Sequence, residues 1–336
     1  MQLTAQMVKA RALELGADAV GIGNIERWEG APIQQDPRQI MPEARSVIAM
    51  AFRVMRGSLR GVEEGTFFSN YSAMGYGGLT YLYMPMTVIG LSRFIEDAGL
   101  EAIPYGHQSD WRAVNTVGET TGKSRPVAPG RAEPDVMVHQ RIAAYLCGLG
   151  EIGFSKMLLT PQFGPRQRVG IIITEAELEP DPIYSGPPLC NRCLACVREC
   201  PGKAFDPSKT VKVTLAGHEV EWMDIDCKAC DIAFRGAIID DSVSAEDSYH
   251  NFGDGHRSRP GNWSPFYKKP RSLYNTGQAV CGSRGCTRAC MISMEARGVV
   301  TNKFAKPFRR RKPWSVDWTK PYEPTQQDNI DKSETD

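Results

Sequence analysis

An excess of either charge is the first thing this sequence lacks: 40 Lys and Arg stand against 39 Asp and Glu, a formal net charge of +1. The overall balance therefore gives no reason to expect nucleic acid or an anionic membrane surface as a partner. Long apolar runs are missing as well, none approaching the ~20 residues that a bilayer-spanning helix needs. The opening MQLTAQMVKARALELG has neither the apolar core of a signal peptide nor a twin-arginine leader, so a cytoplasmic location with no membrane partner is expected. Histidine is sparse, five in 336 residues and scattered singly, which argues against a further protein-ligated metal. There is no P-loop, H-E-x-x-H or G-x-S-x-G. Gly148, Gly150 and Gly153 match the letters of the dinucleotide fingerprint, but they follow a predicted helix and precede a strand, the reverse of what that fingerprint requires.

Cysteine is almost missing from the first half: Cys147 alone precedes residue 190, and the other nine follow. Cys190, Cys193, Cys196 and Cys200, with Pro201 next, have the C-x2-C-x2-C-x3-C-P spacing of bacterial ferredoxins, in which three thiolates hold one [4Fe–4S] cluster and the fourth holds another. Zinc sites more usually pair two C-x2–4-C knuckles. Cys227, Cys230, Cys281, Cys286 and Cys290 supply enough further thiols for two clusters, with one to spare. This second set is less regular, since four residues separate Cys281 from Cys286 and Met291 stands where a proline is usual. Ferredoxin logic assigns Cys190, Cys193 and Cys196 with Cys290 to one cluster, and Cys200 with Cys227, Cys281 and Cys286 to the other, leaving Cys230. The alternative exchanges Cys230 for Cys227 or Cys281. Ligand spacing rather than a disulfide framework fits a reducing compartment. Cys147 reads as a small buried hydrophobe.

Residues 4–16 read as an amphipathic helix with Met7, Ala10, Leu13 and Leu15 inward, stopped by Gly16. Strands are expected over 19–22 and 46–54, the second a buried apolar run. The aromatic, glycine-rich stretch 67–78 leads into a helix over 79–98, where Leu82, Met86, Ile89 and Phe94 recur at helical spacing, and a short strand over 102–105 follows. This order gives an α/β or α+β core. Residues 107–134 have no hydrophobic period, and a loop that long carrying His107, Asp110 and Trp111 is expected to face substrate. Helix returns over 135–147, MLLT and RVGIIIT are expected to form a hairpin around PQFGP, and 179–188 reads as a linker. The length admits two domains, divided as 1–178 and 179–300, with a polar tail over 301–336 that wraps the surface or stays disordered.

The stretch AAYLCGLGEIGFSKMLLTPQFGPRQRVGIIITEAELEPDP, followed by CNRCLACVRECP, resembles the junction in cobalamin-dependent iron–sulfur reductases, the superfamily of reductive dehalogenases and epoxyqueuosine reductase. The likeness runs over roughly residues 5–300 and takes in GADAVGI at 16–22 and Tyr81 with the helix after it. It implies an α+β fold, a nitroreductase-like corrinoid-binding domain followed by a ferredoxin-like domain with two [4Fe–4S] clusters. It also implies base-off cobalamin with no histidine on cobalt, in keeping with the missing D-x-H-x-x-G pattern. Electrons from an external donor such as ferredoxin or flavodoxin would pass through the clusters, and a protein acid would supply a proton in a water-poor pocket.

By the same resemblance Tyr81, in GGLTY, is the proton donor and Arg141 faces the same pocket to favour its phenolate; a core aromatic and a plain salt bridge are the structural alternatives. Asp135 is a secondary donor, one residue out of register, and His107 and Asp110 lie on the loop within reach. Gly148, Gly150 and Gly164 would let backbone approach the macrocycle closely, or simply make tight turns. Arg166 and Arg168, alternating about Gln167 on a strand, would point one way toward the corrinoid amides or tail phosphate, or form an exposed face. The leading function is a cytoplasmic, reductive-dehalogenase-like reductase of a small organic substrate. An epoxyqueuosine reductase acting on tRNA is the second reading. GGLTY in place of G-R-D-Y and the lack of a helical repeat after the clusters count against it, while the basic block at 309–312 offers phosphate contacts. A noncatalytic iron–sulfur electron carrier is the third, and it predicts no corrinoid and no substrate pocket.

Overall fold

The computed structural model describes residues 3–67, 70–107, 125–235, 237–239, 258–260 and 285–311. Asp110, Trp111, Cys281 and residues 312–336 lie outside the described residues. Four strands form an antiparallel sheet in the order β1 (Ala19–Asn24), β2 (Ser46–Arg53), β6 (Gln167–Thr174), β3 (Ala102–Tyr105). An antiparallel sheet with helices on it is the α+β form of the expected class.

The buried run SVIAMAFR explains why β2 is central: it has no polar face to offer water. Ile48, Met50 and Phe52 face one core with Val8 and Ala12 of α1 (Ala5–Glu14) and Met84, Val88, Leu91 and Ile95 of α3 (Met84–Glu96). Val47, Ala49 and Ala51 face a second core with Ala143, Ala144 and Leu146 of α4 (Gln140–Leu146). The period-2 split of one strand between two cores makes three layers. Gly21 is where α4 comes closest, since a Cβ there would meet the Cys147 carbonyl oxygen at 2.1 Å. Cys147 is fully buried and its thiol donates to the Val47 carbonyl at 3.2 Å.

Several local expectations differ from the structure. Thr4 caps α1 by accepting from the Met7 N–H at 3.3 Å, but the inward residues are Val8 and Ala12, while Ala10 and Leu13 are exposed. On α3 the inward stripe is Met84, Val88, Leu91 and Ile95, whereas Leu82, Met86 and Ile89 are 63%, 66% and 50% exposed. Two apolar stripes share that segment, and the wide π-type winding of Tyr71–Tyr83 just before it sets the phase. The helix expected from 135 begins at Gln140, because Asp135 has φ +64° and the Met137 N–H donates to the Gln34 carbonyl. MLLT and RVGIIIT do not pair: β5 (Leu158–Leu159) pairs with β4 (Glu151–Ile152), and β6 pairs with β2 and β3. The 179–188 segment is no free linker either. Asp181 exchanges bonds with both Ile22 backbone groups and pairs with Lys9, strapping itself along β1.

The second half packs into the same cores. A hairpin of β7 (Phe205–Leu215) and β8 (His218–Ile225) turns at Ala216 and Gly217, both at positive φ, and its Trp222 is buried in the second core. After α6 (Cys227–Arg235), α7 (Cys286–Ala296) sends Met291 into the first core, where Phe308 joins it. Residues 301–311 therefore wrap the front of the molecule. Among the described residues no helix is long and apolar enough to cross a membrane.

Candidate active site and cysteine cages

Two groups of thiols gather around α5 (Ala195–Arg198) and α7. Arg192 and Leu194, at φ +51° and +57°, curl the chain ahead of α5, and Cys190, Cys193, Cys196 and Cys290 line one small cavity. The Phe154 N–H donates to the Cys190 sulfur, and Cys193 shares a hydrogen bond with the Ser293 hydroxyl, both at 3.4 Å. Burial, reinforced by the neighbouring thiols, pushes Cys290 well up. Burial likewise raises Cys196, whereas for Cys193 burial is outweighed by hydrogen bonds from Ser293 and the backbone, which lower it. Among the described residues no three His, Cys, Asp or Glu side chains could hold a single metal ion. Four thiols around one cavity match the ligand count of a cubane, whose irons sit at separate corners and each take one thiolate.

Cys200, Cys230 and Cys286 line a second, much larger cavity. The Ala204 N–H donates to the Cys200 sulfur at 3.4 Å, and Cys286 is pushed up to about 11 by burial and then by Cys230 and Cys200. Of the two α6 cysteines Cys230 is on the cavity lining, while Cys227 is off it and near Lys156. Cys286 and Cys290, one turn apart on α7, serve different cages, as do Cys196 and Cys200.

The larger cavity has about 1680 Å³ of empty space including its mouth. Besides the cysteine-bearing elements it is bounded by the π-type segment, α3, the start of α4 and β6, which contribute Tyr71, Tyr76, Thr80, Arg141 and Arg168. Tyr76 lines it, and its hydroxyl lies 2.9 Å from that of Tyr81, which is 43% exposed and stands outside the lining. Arg168 donates to the Tyr71 hydroxyl at 2.8 Å and lies 4.7 Å from the Tyr76 ring centre. His107 is edge-on to both rings, 6.1 Å from Tyr76 and 5.5 Å from Tyr81. The Tyr76–Tyr81 spacing of five is one turn of a π-type helix, so α-helical periodicity hides it. Tyr76 was not anticipated from the sequence; its neighbours in the aromatic, glycine-rich stretch were the available signal.

Arg141 also lines the cavity but donates to the Lys156 carbonyl at 2.8 Å and is close enough to Cys286 to favour its thiolate. The guanidinium lying on the tyrosines is that of Arg168. Next to Arg141, His139 is held well below its ordinary value by burial and by the charges of Lys156 and Arg141, and Lys156 is lowered to about 8 by burial and then by Arg141. His139 is therefore a neutral lining group, unanticipated because one isolated histidine carries no signal. Asp135 is exposed and off the lining.

The other expected corrinoid residues sit elsewhere. A Cβ on Gly148 would meet the Pro182 oxygen at 2.3 Å and one on Gly150 the Leu159 oxygen at 1.9 Å, so both glycines admit the chain's own backbone. Gly164, at φ +60°, closes the turn bridged to Thr160 and packs on Met294. Arg166 is buried, donates to the Val54 carbonyl and Asn302, and is off the cavity lining, whereas Arg168 is on it. The basic block is engaged as well: Arg309 and Arg311 pair with Glu64, and Arg310 with Glu199.

No protein-family model matches the chain. An epoxyqueuosine reductase from Gloeobacter violaceus is 27% identical over 250 residues, 66% of this chain and 67% of its own length. A tetrachloroethene reductive dehalogenase from Desulfitobacterium hafniense is 38% identical over 72 residues, 21% of this chain and only 13% of its own length. Among solved structures, a reductive dehalogenase described with a mechanism for B12-dependent dehalogenation aligns over 97% of this chain and 42% of its own at 19% identity and a TM-score of 0.49.

Proposed function

As a member of the superfamily that epoxyqueuosine reductases and reductive dehalogenases share, one of corrinoid- and iron–sulfur-dependent reductases, this chain, we propose, reduces a small organic substrate in the larger cavity. One observation carries the reading: Cys200, Cys230 and Cys286 line the same cavity as Tyr76 and Arg168, so an electron entrance and a proton source meet in one space. In this reading residues 1–178 are a nitroreductase-like part that holds corrinoid and substrate, and 179–300 are a ferredoxin-like part that holds two [4Fe–4S] clusters, with 301–336 as a tail. Cys190, Cys193, Cys196 and Cys290 hold one cluster; Cys200, Cys230, Cys286 and Cys281 hold the other.

The cavity suits a large, amide-rimmed cofactor. Among the described residues two lining atoms, the Thr80 hydroxyl and Arg168 Nε, are buried without a hydrogen-bond partner, polar groups to which cofactor amides could bond. Bound corrinoid would supply low-potential reduction of the substrate. Tyr76 delivers the proton, Tyr81 connects Tyr76 to water at the rim, and Arg168 holds the aromatic group in place. Met84, Val169 and Phe234 keep the space dry, and neutral His139 adds no competing charge. The paired state of Arg309–Arg311 supports a small substrate over tRNA.

Anaerobic reconstitution with iron, sulfide and cobalamin tests this. Two four-iron centres give about eight iron atoms per chain, with stoichiometric cobalt. Iron without corrinoid would leave the electron-carrier function in its place; turnover of epoxyqueuosine-modified tRNA but of no organohalide would transfer the reading to tRNA.

A further inference from the structure

The first cysteine cage reaches the surface at one point. Cys193 is exposed, whereas Cys190, Cys196 and Cys290 are partly covered. Three exposed arginines surround it. Arg192 precedes it in the chain, Arg198 donates to the Cys193 carbonyl at 2.9 Å, and Arg297, just past α7, donates to the Leu189 carbonyl at 2.6 Å.

The carboxylates nearby are committed elsewhere. Glu221 neutralises Arg192 at 2.6 Å, Glu199 turns to Arg288 and Arg310, and Glu151 accepts from the Cys190 N–H. Arg198 and Arg297 have no carboxylate partner among the described residues. In a chain whose net charge is +1, this face is positive by local arrangement, at the point where the path to a cluster is shortest.

We propose that the face formed by Cys193, Arg198 and Arg297 docks an acidic electron-carrier protein of the flavodoxin or ferredoxin kind. The proposal rests on the cluster assignment above. One electron leaves the reduced carrier, which is oxidised by one unit, and reduces the cluster beside Cys193 by one; no atoms move. Complementary charge steers such encounters and makes them sensitive to salt, while the uncovered thiol edge sets where the carrier's redox group must sit.

The test is stopped-flow bleaching of cluster absorbance in the reconstituted full-length chain, with flavodoxin hydroquinone as reductant and dithionite as control. Iron content and the dithionite rate report on the clusters alone; the contrast between the two reductants reports on docking. Exchanging Arg198 and Arg297 together for Gln should lower the flavodoxin rate about tenfold at low salt and flatten its salt dependence, with iron content and dithionite rate unchanged. Exchanging both for Lys should keep most of the rate, and Arg192→Gln, already neutralised by Glu221, should change it little. An unchanged flavodoxin rate in the Gln variant would overturn the proposal. So would an equal fall with dithionite, or competition by a tRNA stem–loop that the Gln variant abolishes, which would make this an RNA-binding face.

Discussion

Replacing Tyr76 and Tyr81 one at a time separates two roles that the sequence merges into one. If Tyr76 faces the substrate, Tyr76→Phe should lower turnover by ~100-fold while iron and corrinoid content hold, the usual contribution of a positioned general acid. Tyr81→Phe should cost less, because water can reach Tyr76 through the rim. Equal losses would make Tyr81 the donor. The cysteines give a second contrast: Cys230→Ser should remove one cluster's worth of iron, and Cys227→Ser should remove none. The first cysteine run was legible because its ligands are consecutive, whereas the second is divided between two helices, with Cys227 and Cys230 on the same one.

Lys156 gives a pH-dependent prediction at the same scale. Its folded-state value of about 8 lies below the ordinary 10.5, so below about pH 8 both states are charged and the folded one bears the full cost of burial. As pH rises from there toward the ordinary value the unfolded chain binds more protons, and stability rises until that cost is gone. Lys156→Met should therefore raise the urea midpoint near neutral pH, by on the order of 3 kcal/mol in stability, and the gain should shrink toward about pH 10. A constant gain would mean that packing, not charge, is responsible.

Among the elements, α7 has the most to hold. It carries Cys286 for one cage and Cys290 for the other, and between them Arg288 forms a buried pair with Glu63 of α2 (Arg60–Glu64) at 2.6 Å and also reaches Glu199 at 2.9 Å. Arg288→Ala takes the guanidinium from the buried Glu63 carboxylate, which keeps the Arg311 N–H, and should destabilise the protein by about 3–5 kcal/mol. Both clusters should then be lost together as iron is titrated out with a chelator. Adding Glu63→Gln should recover part of the loss; loss from one cage alone would confine Arg288 to a local role. None of this was legible from periodicity, which reports that an element has an apolar face but not which neighbour claims it. The same limit explains α3, where Met86 and Ile89 are exposed while Met84, Val88, Leu91 and Ile95 face the core. β2 was legible because a strand covered on both faces needs no choice of face.

For the whole molecule, Met291, Phe308 and Trp222 from the second half sit in the cores of the first, which ties the two halves together. Loss of iron should accordingly lower the melting temperature of the entire chain in one transition. Two separate transitions would argue for independent domains. The order of strands has a further consequence for synthesis. β6 separates β2 from β3 in space but follows both in sequence, so a nascent chain leaving the ribosome cannot complete its sheet until residue 174 has emerged. Neither cage can close before α7 emerges, because Cys286 and Cys290 belong to different ones. On the proposed assignment cofactor loading therefore waits for α7, and a ribosome that stalls before it yields a chain with neither redox centre complete.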